Sequence, residues 1–214
     1  LTLIILLGII MTFIVSKILS KTILKGMPSA FTLELPPYRR PQIGKVIIRS
    51  ILDRTIFVLR RAILISAPAG LVIWLMANII VGDASILKIC SDALDPFAKI
   101  IGLDGIILIA FILGFPANEI VIPIMIMGYM SLGYITEFDN INDLKNLFID
   151  NGWTLLTAIC TMIFTLMHWP CLTTIFTIKK ETGSLKWTLF SIFLPAIIGI
   201  TLCFITTQIY HIFI

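Results

Sequence analysis

This chain of 214 residues is 58% hydrophobic and only 13% charged, with a formal net charge of +4 and a mean hydropathy of +1.06. A soluble domain of this length carries about a quarter of its residues charged, so a soluble globular protein is excluded. The composition is that of an integral membrane protein. Its basic excess follows from membrane topology and does not point to nucleic acid.

Apolar runs cover roughly 1–19, 62–81, 106–132, 153–178 and 187–210. Crossing hydrocarbon takes about 20 helical residues, so most of these runs can span. Leu1 is not an initiator methionine, and no basic leader or small-residue cleavage site precedes the first run. The expectation is a fragment that continues from upstream sequence rather than a signal peptide. The four cysteines, Cys90, Cys160, Cys171 and Cys203, form no CxxC pair, and three lie in apolar runs. Reduced, buried thiols are expected there.

In chain order, 1–19 reads as a transmembrane helix and 20–61 as a cytoplasmic linker. Within the linker, Leu35-Pro36-Pro37-Tyr38-Arg39-Arg40-Pro41 runs extended, because each proline fixes φ and biases its predecessor away from helix. From Ile43 the pattern turns helical, with Lys45, Arg49, Asp53 and Arg60 opposite Ile47, Ile51 and Val58. That is a basic amphipathic helix for the membrane interface, attracted to anionic lipid. Residues 62–214 hold the remaining helices. In the run 62–81, Pro68 and Gly70 predict a kink or a close helix contact. The segment 82–105, with Asp83, Asp92, Asp95 and Asp104, reads as a solvated acidic loop, and so does 136–152.

Charge sets the orientation. Residues 17–61 hold ten Lys/Arg against two acids and 179–186 hold three against one, whereas 82–105 hold two against four and 136–152 one against four. Basic loops stay in the cytoplasm. For the topology to close, 106–132 enters and leaves on the outer side as a re-entrant hairpin turning near Gly114–Asn118. A conventional span with one misread loop is the alternative.

Two motifs carry the chemistry. In Gly114-Phe-Pro-Ala-Asn-Glu119, Pro116 deprives the Ile112 carbonyl of its helical donor, and Pro123 does the same to Glu119. With the Asn118 amide and the Glu119 carboxylate, oxygen acceptors gather at a helix break, as in transporters whose discontinuous helices bind ions. A carboxylate is costly in hydrocarbon, so a functional use is favoured over a paired kink. In the fourth run, Thr157, Cys160, Thr161, Phe164, His168 and Cys171 share one helical sector, and Pro170 frees the Leu166 carbonyl. Imidazole and sulfur suit softer divalent metals, whereas calcium and magnesium prefer oxygen. The alternative is a histidine hydrogen-bonded to a neighbouring helix. Phosphate-loop, HExxH and nucleophile-elbow motifs are lacking, so no enzyme activity is read from these residues.

The sequence Phe31-Thr-Leu-Glu-Leu-Pro-Pro-Tyr-Arg39, with Pro41 after it, is very similar to the linker signature of the ferrous iron transport protein B (FeoB) family. Gly114-Phe-Pro-Ala-Asn-Glu-Ile-Val121 resembles that family's second gate motif, often G-x-x-A-K-E, with Asn118 where many members carry lysine. His168-Trp-Pro-Cys-Leu-Thr-Thr174 and Ile178-Lys-Lys-Glu-Thr-Gly-Ser184 resemble its C-terminal region. The resemblance implies a bacterial inner-membrane importer of Fe2+, of which this chain is the C-terminal membrane portion. The family's G domain, with its GTP and Mg2+, and the first gate region are then expected upstream, as partners of these residues.

The reading is an all-α polytopic membrane helix bundle with broken or re-entrant gate helices, in contact with lipid and with homo-oligomerisation left open. Metal ligands are His168, Cys171, Glu119 and Asn118; Gly114, Pro116, Pro123 and Pro170 shape the gate. By position and resemblance, Glu34, Tyr38 and Arg39 would fix the linker against the bundle and transmit motion from the GTPase, with Pro36 and Pro37 making it a stiff, extended strut. The alternatives are a gate-type transporter of another solute, such as a nucleoside, and a non-conducting structural subunit.

Overall fold

The computed structural model describes residues 2–23, 44, 48, 56–135, 138 and 140–213. Among these residues the chain is helical apart from one short hairpin, an all-α architecture. The linker residues Glu34, Pro36, Pro37, Tyr38 and Arg39, and most of the amphipathic segment beyond Ile43, lie outside the described residues.

The chain divides into two units, Leu1–Arg60 and Arg61–Ile214. In the first, α1 (Thr2–Lys21) is apolar along its 20 residues and buries none of them. Such a helix reaches about 30 Å, the thickness of a hydrocarbon core, and against lipid it needs no core of its own. The helix α2 (Phe57–Asn78), most of which belongs to the second unit, carries Pro68 inside it. It ends where the Asn78 side chain donates to the Trp74 carbonyl at 2.9 Å and to the Gly133 carbonyl at 2.6 Å.

The second unit corrects the reading of 82–105 as a loop. Strands β1 (Ile80–Val81) and β2 (Ala84–Ser85) pair antiparallel, and the Ser85 hydroxyl caps α3 (Ile86–Ile100) by accepting from the Lys88 N–H at 3.2 Å. The sequence is amphipathic: Leu87, Ser91 and Ala98 are buried, while Lys88–Asp92 and Lys99–Asp95 pair outside at 2.8 and 2.5 Å. The Lys99 hydrogen bond holds the Asp95 carboxyl below its ordinary range. Alternating charge hid a helix whose buried stripe is narrow.

After α3 the chain turns sharply, and α4 (Gly105–Leu113) leaves at 109°. Gly102 makes the elbow at φ +73°, and a Cβ there would lie 2.5 Å from Thr207 Oγ1 and 2.7 Å from Cys160 Sγ. Only glycine fits both the left-handed backbone and the close approach. Asp104 caps α4, its Oδ1 accepting from the Ile107 N–H at 2.7 Å. The helix is apolar all round, and its Ile107, Leu108, Ile109, Ala110 and Phe111 are buried. It packs against α5 (Val121–Tyr129), in which Val121, Ile124, Met125, Ile126 and Met127 are buried. Nine helical residues extend about 14 Å, half a bilayer, so the run 106–132 is two half-length helices around a break.

The segment 136–152 is also not simply a loop, because it contains α6 (Ile141–Asp150), capped by Asn140. Then come α7 (Leu155–Met167), α8 (Leu172–Thr182) and α9 (Leu185–Phe213). The stretches Leu155–Thr182 and Leu185–Ile212 are each 28 residues, long and apolar enough to cross a membrane, as is α1. With the bent α3–α4 pair counted, up to four spans are available among the described residues.

The α7–α9 seam is built on small polar groups. The Cys203 thiol donates to the Cys160 carbonyl at 3.3 Å, and the Thr207 hydroxyl donates to the Cys203 carbonyl at 2.9 Å. Cys160 and Cys203 are free, buried thiols, as their apolar setting predicts. At the open end of the α4–α5 pair, the Tyr129 hydroxyl donates to Asp104 and accepts from Trp153 Nε1 at 2.7 Å. Burial pushes the Asp104 carboxyl above its ordinary range.

Candidate functional site

The two motifs form the two helix breaks, and the breaks meet. At the first, α4 closes with the Phe115 N–H on the Ile112 carbonyl at 3.3 Å, so that carbonyl is not left free as the proline rule alone predicts. The Ala117 N–H then bonds the Gly114 carbonyl at 3.0 Å, and a single 3-10 turn, Asn118–Ile120, leads into α5. A Cβ on Gly114 would lie 2.4 Å from Val121 Cγ2, so glycine lets the end of α4 rest on the start of α5. Pro123 sits in the first turn of α5, where proline does little harm.

At the second break, α7 stops at Met167 and His168 turns extended, at φ −72° and ψ 178°. His168 and Cys171 therefore leave the helical sector shared by Thr157, Cys160, Thr161 and Phe164. The one-face reading fails because Pro170 terminates the ladder rather than bending it. Cys171 becomes the residue before α8, its sulfur 3.1 Å from the hydroxyls of both Thr173 and Thr174.

One main-chain bond joins the breaks: the Leu172 N–H donates to the Phe115 carbonyl at 3.0 Å. Aromatic rings line the junction. The His168 ring lies 5.2 Å from Phe111 and 6.3 Å from Phe164, and Trp169 lies 6.5 Å from Phe115 and 5.9 Å from Phe164. His168 Nδ1 is 2.8 Å from the Thr165 carbonyl. A carbonyl only accepts, so Nδ1 carries the proton and Nε2 presents a lone pair. That Nε2, together with Asn118 Oδ1 and Trp169 Nε1, is buried without a hydrogen-bond partner among the described residues. Buried polar atoms in that state are uncommon and cost about 1–3 kcal/mol each unless a bound species meets them.

The expected ligands are thus gathered unequally. The structure brings the His168 and Asn118 breaks together, turns Cys171 toward its own threonines, and leaves Glu119 on the exposed side of the 3-10 turn. Among the described residues no three of His, Cys, Asp and Glu converge as a preformed metal cage. Sequence reasoning passed over Trp169 and Phe111. A tryptophan next to the break-making Pro170 was the available signal for the first, and nothing in the pattern marked the second.

The family model described as Ferrous iron transport protein B C terminus matches residues 1–53. The Fe(2+) transporter FeoB of Staphylococcus aureus (strain MSSA476) is 33% identical over 220 residues, covering 97% of this chain and 31% of that protein. The chain matches the C-terminal portion of FeoB. The Fe(2+) transporter FeoB of Leptospira interrogans (serovar Lai, strain 56601) is 26% identical over 97% of the chain and 32% of its own length. That of Methanocaldococcus jannaschii is 26% identical over 87% and 28%. The chain therefore spans about a third of the length of the curated FeoB relatives it matches. No solved structure matches. The similarity to FeoB runs through both helix breaks and is not confined to the matched first quarter.

Proposed function

We propose that this chain is the permease portion of a ferrous iron importer, passing Fe(II) through the bacterial inner membrane toward the cytoplasm. A GTP-binding domain upstream in the full-length protein, using GTP and Mg2+, would drive it. The carrying observation is the junction of the two breaks, where Nε2 of His168 and Oδ1 of Asn118 are buried without a hydrogen-bond partner among the described residues. A neutral imidazole whose Nδ1–H is fixed on a backbone carbonyl is prepared to ligate through Nε2, the usual arrangement around metal-bound histidine. Nitrogen and amide oxygen, with water completing the shell, hold a borderline ion loosely enough to release it onward. Glu119 offsets the cation's lost hydration from the outer side of the turn, and the Cys171 sulfur is the next donor along the path.

A second reading has its own observation. Phe111, Phe115, Phe164 and Trp169, packed together where the breaks meet, are rings that a nucleoside-type solute would use. A purely structural subunit fits less well, because its polar groups would be mutually paired.

The test is Fe(II) uptake into proteoliposomes by the full-length protein, at matched protein levels. His168→Ala should cut uptake about tenfold or more, Glu119→Gln and Cys171→Ser should lower it, and GTP hydrolysis should persist. Acidification should slow wild-type uptake as Nε2 takes up a proton. Wild-type iron rates in all three variants, or uptake of a nucleoside in place of iron, would overturn the proposal.

A further inference from the structure

Away from the junction, α6 and the start of α7 enclose a groove of about 560 Å³. Its walls are Ile141, Phe148 and Ile149 of α6 with Leu155 and Ala158 of α7, and Lys145 stands among them. Ile141 and Leu155 are 83% and 72% exposed, so the groove lies open. Phe148 and Trp153 stack at 4.3 Å to give it a rigid aromatic flank.

The placement of Lys145 is the informative feature. Residues one turn away on either side, Ile141 and Ile149, share its helix face, whereas Asp143 and Asp150 project from the opposite side. Lys145 is also the sole basic residue of 136–152. The acidic helix α6 thus turns its one cation toward its apolar face. Lys145 forms no ion pair with any described residue. A lysine on an apolar stripe extends its stem along hydrocarbon and offers its ammonium at the polar boundary. The groove sits where α7 begins, at one end of the 28-residue apolar stretch Leu155–Thr182, with Trp153 just before it. Tryptophan concentrates at the headgroup level of bilayers.

We infer that the α6–α7 groove binds one anionic phospholipid, an acyl chain lying on Phe148, Leu155 and Ala158 and the headgroup phosphate on the Lys145 ammonium. Apolar walls explain the chain, and a cation with no ion pair among the described residues explains the phosphate. This site is separate from the helix breaks and does not depend on what crosses them.

The test uses the full-length protein in nanodiscs containing a phosphatidylglycerol whose acyl chain carries a diazirine, with the phosphatidylcholine analogue as comparison. After photolysis, mass spectrometry should find lipid attached within Ile141–Ala158. One lysine near the surface favours the anionic lipid about fivefold. Lys145→Gln should bring the two lipids to parity while labelling continues. Ala158→Trp, which fills the floor, should abolish labelling by both. Equal labelling by both lipids in the wild-type protein would mean ordinary boundary lipid and would overturn the assignment. Absence of labelling would do the same, since it would mean that another part of the protein covers the groove.

Discussion

Replacing Leu172 with proline isolates the bond that joins the two helix breaks. Leu172 is the first residue of α8, a position where the missing N–H costs the helix nothing. Cys171 before it already has ψ 156°, the extended conformation a following proline demands. The substitution therefore removes one interaction, the 3.0 Å bond from the Leu172 N–H to the Phe115 carbonyl. Its net loss is about 0.5–1.5 kcal/mol, rising toward about 3 if the carbonyl is left dry. The stiffer unfolded chain returns about 0.4–1 kcal/mol. Leu172→Ala supplies the control, because it removes the half-buried side chain and keeps the N–H. With the Phe115 carbonyl left dry the loss exceeds the return, and the proline variant should be less stable than the alanine variant by about 1–2 kcal/mol. Its iron uptake should be roughly fivefold lower if the bond holds the breaks in the transport-competent register. Thermal unfolding in detergent and proteoliposome uptake read the two quantities. Identical behaviour of the two variants in both assays would show that the breaks are held together by side-chain packing alone.

Tyr129→Phe should cost about 1–3 kcal/mol, because it strips a donor from Asp104 and an acceptor from Trp153 Nε1. It should also reshape the pH dependence. The Asp104 carboxyl is already raised by burial and is held down in part by Tyr129, so the variant raises it further. A carboxyl whose folded pKa exceeds the unfolded value of about 3.9 adds stability as pH falls from the former toward the latter. The variant's deficit should therefore shrink between neutral pH and about pH 4, and a constant deficit in melting experiments would contradict this. For the topology, a cysteine placed at Asp143 should react with a membrane-impermeant maleimide added outside intact cells. Protection there, with labelling only after permeabilisation, would reverse the orientation drawn from the charges.

The breaks were legible because Pro116 and Pro170 each stand beside polar groups that hydrocarbon penalises, whereas Pro68, among apolar neighbours, sits inside a continuous helix. Their meeting was not legible. It rests on a backbone bond from Leu172 to Phe115, and main-chain groups leave no mark on composition or periodicity. The helices α3 and α6 were hidden for a different reason. Their charges satisfied the expectation for loops, while α3 buries only Leu87, Ser91 and Ala98 and α6 buries none of its residues. In the sequence Asp104 looks like one more solvated acid beside Asp92 and Asp95, yet it caps α4 and accepts from Tyr129. Extrapolating α7 through His168 to Cys171 carried a 100° period across a proline that stops it. The indole of Trp169, in an apolar run, looks like packing until its N–H is seen to have no partner among the described residues.

The elbow at Gly102 restricts where this half of the molecule can bend. Its Cα approaches Thr207 of α9 and Cys160 of α7 so closely that no methyl group could enter. The α3–α4 turn is thereby wedged between two helices that already share thiol and hydroxyl contacts. Sliding α9 along α7 would drive a side chain into the elbow backbone, and packed interiors yield little to such compression. A displacement arriving at this node would meet close packing. It would be absorbed where the hydrogen-bond ladder is interrupted, between Leu113 and Asn118 and between Met167 and Leu172. The tightly packed elbow and the two interrupted ladders thus divide this half of the fold into a part that resists bending and parts that permit it.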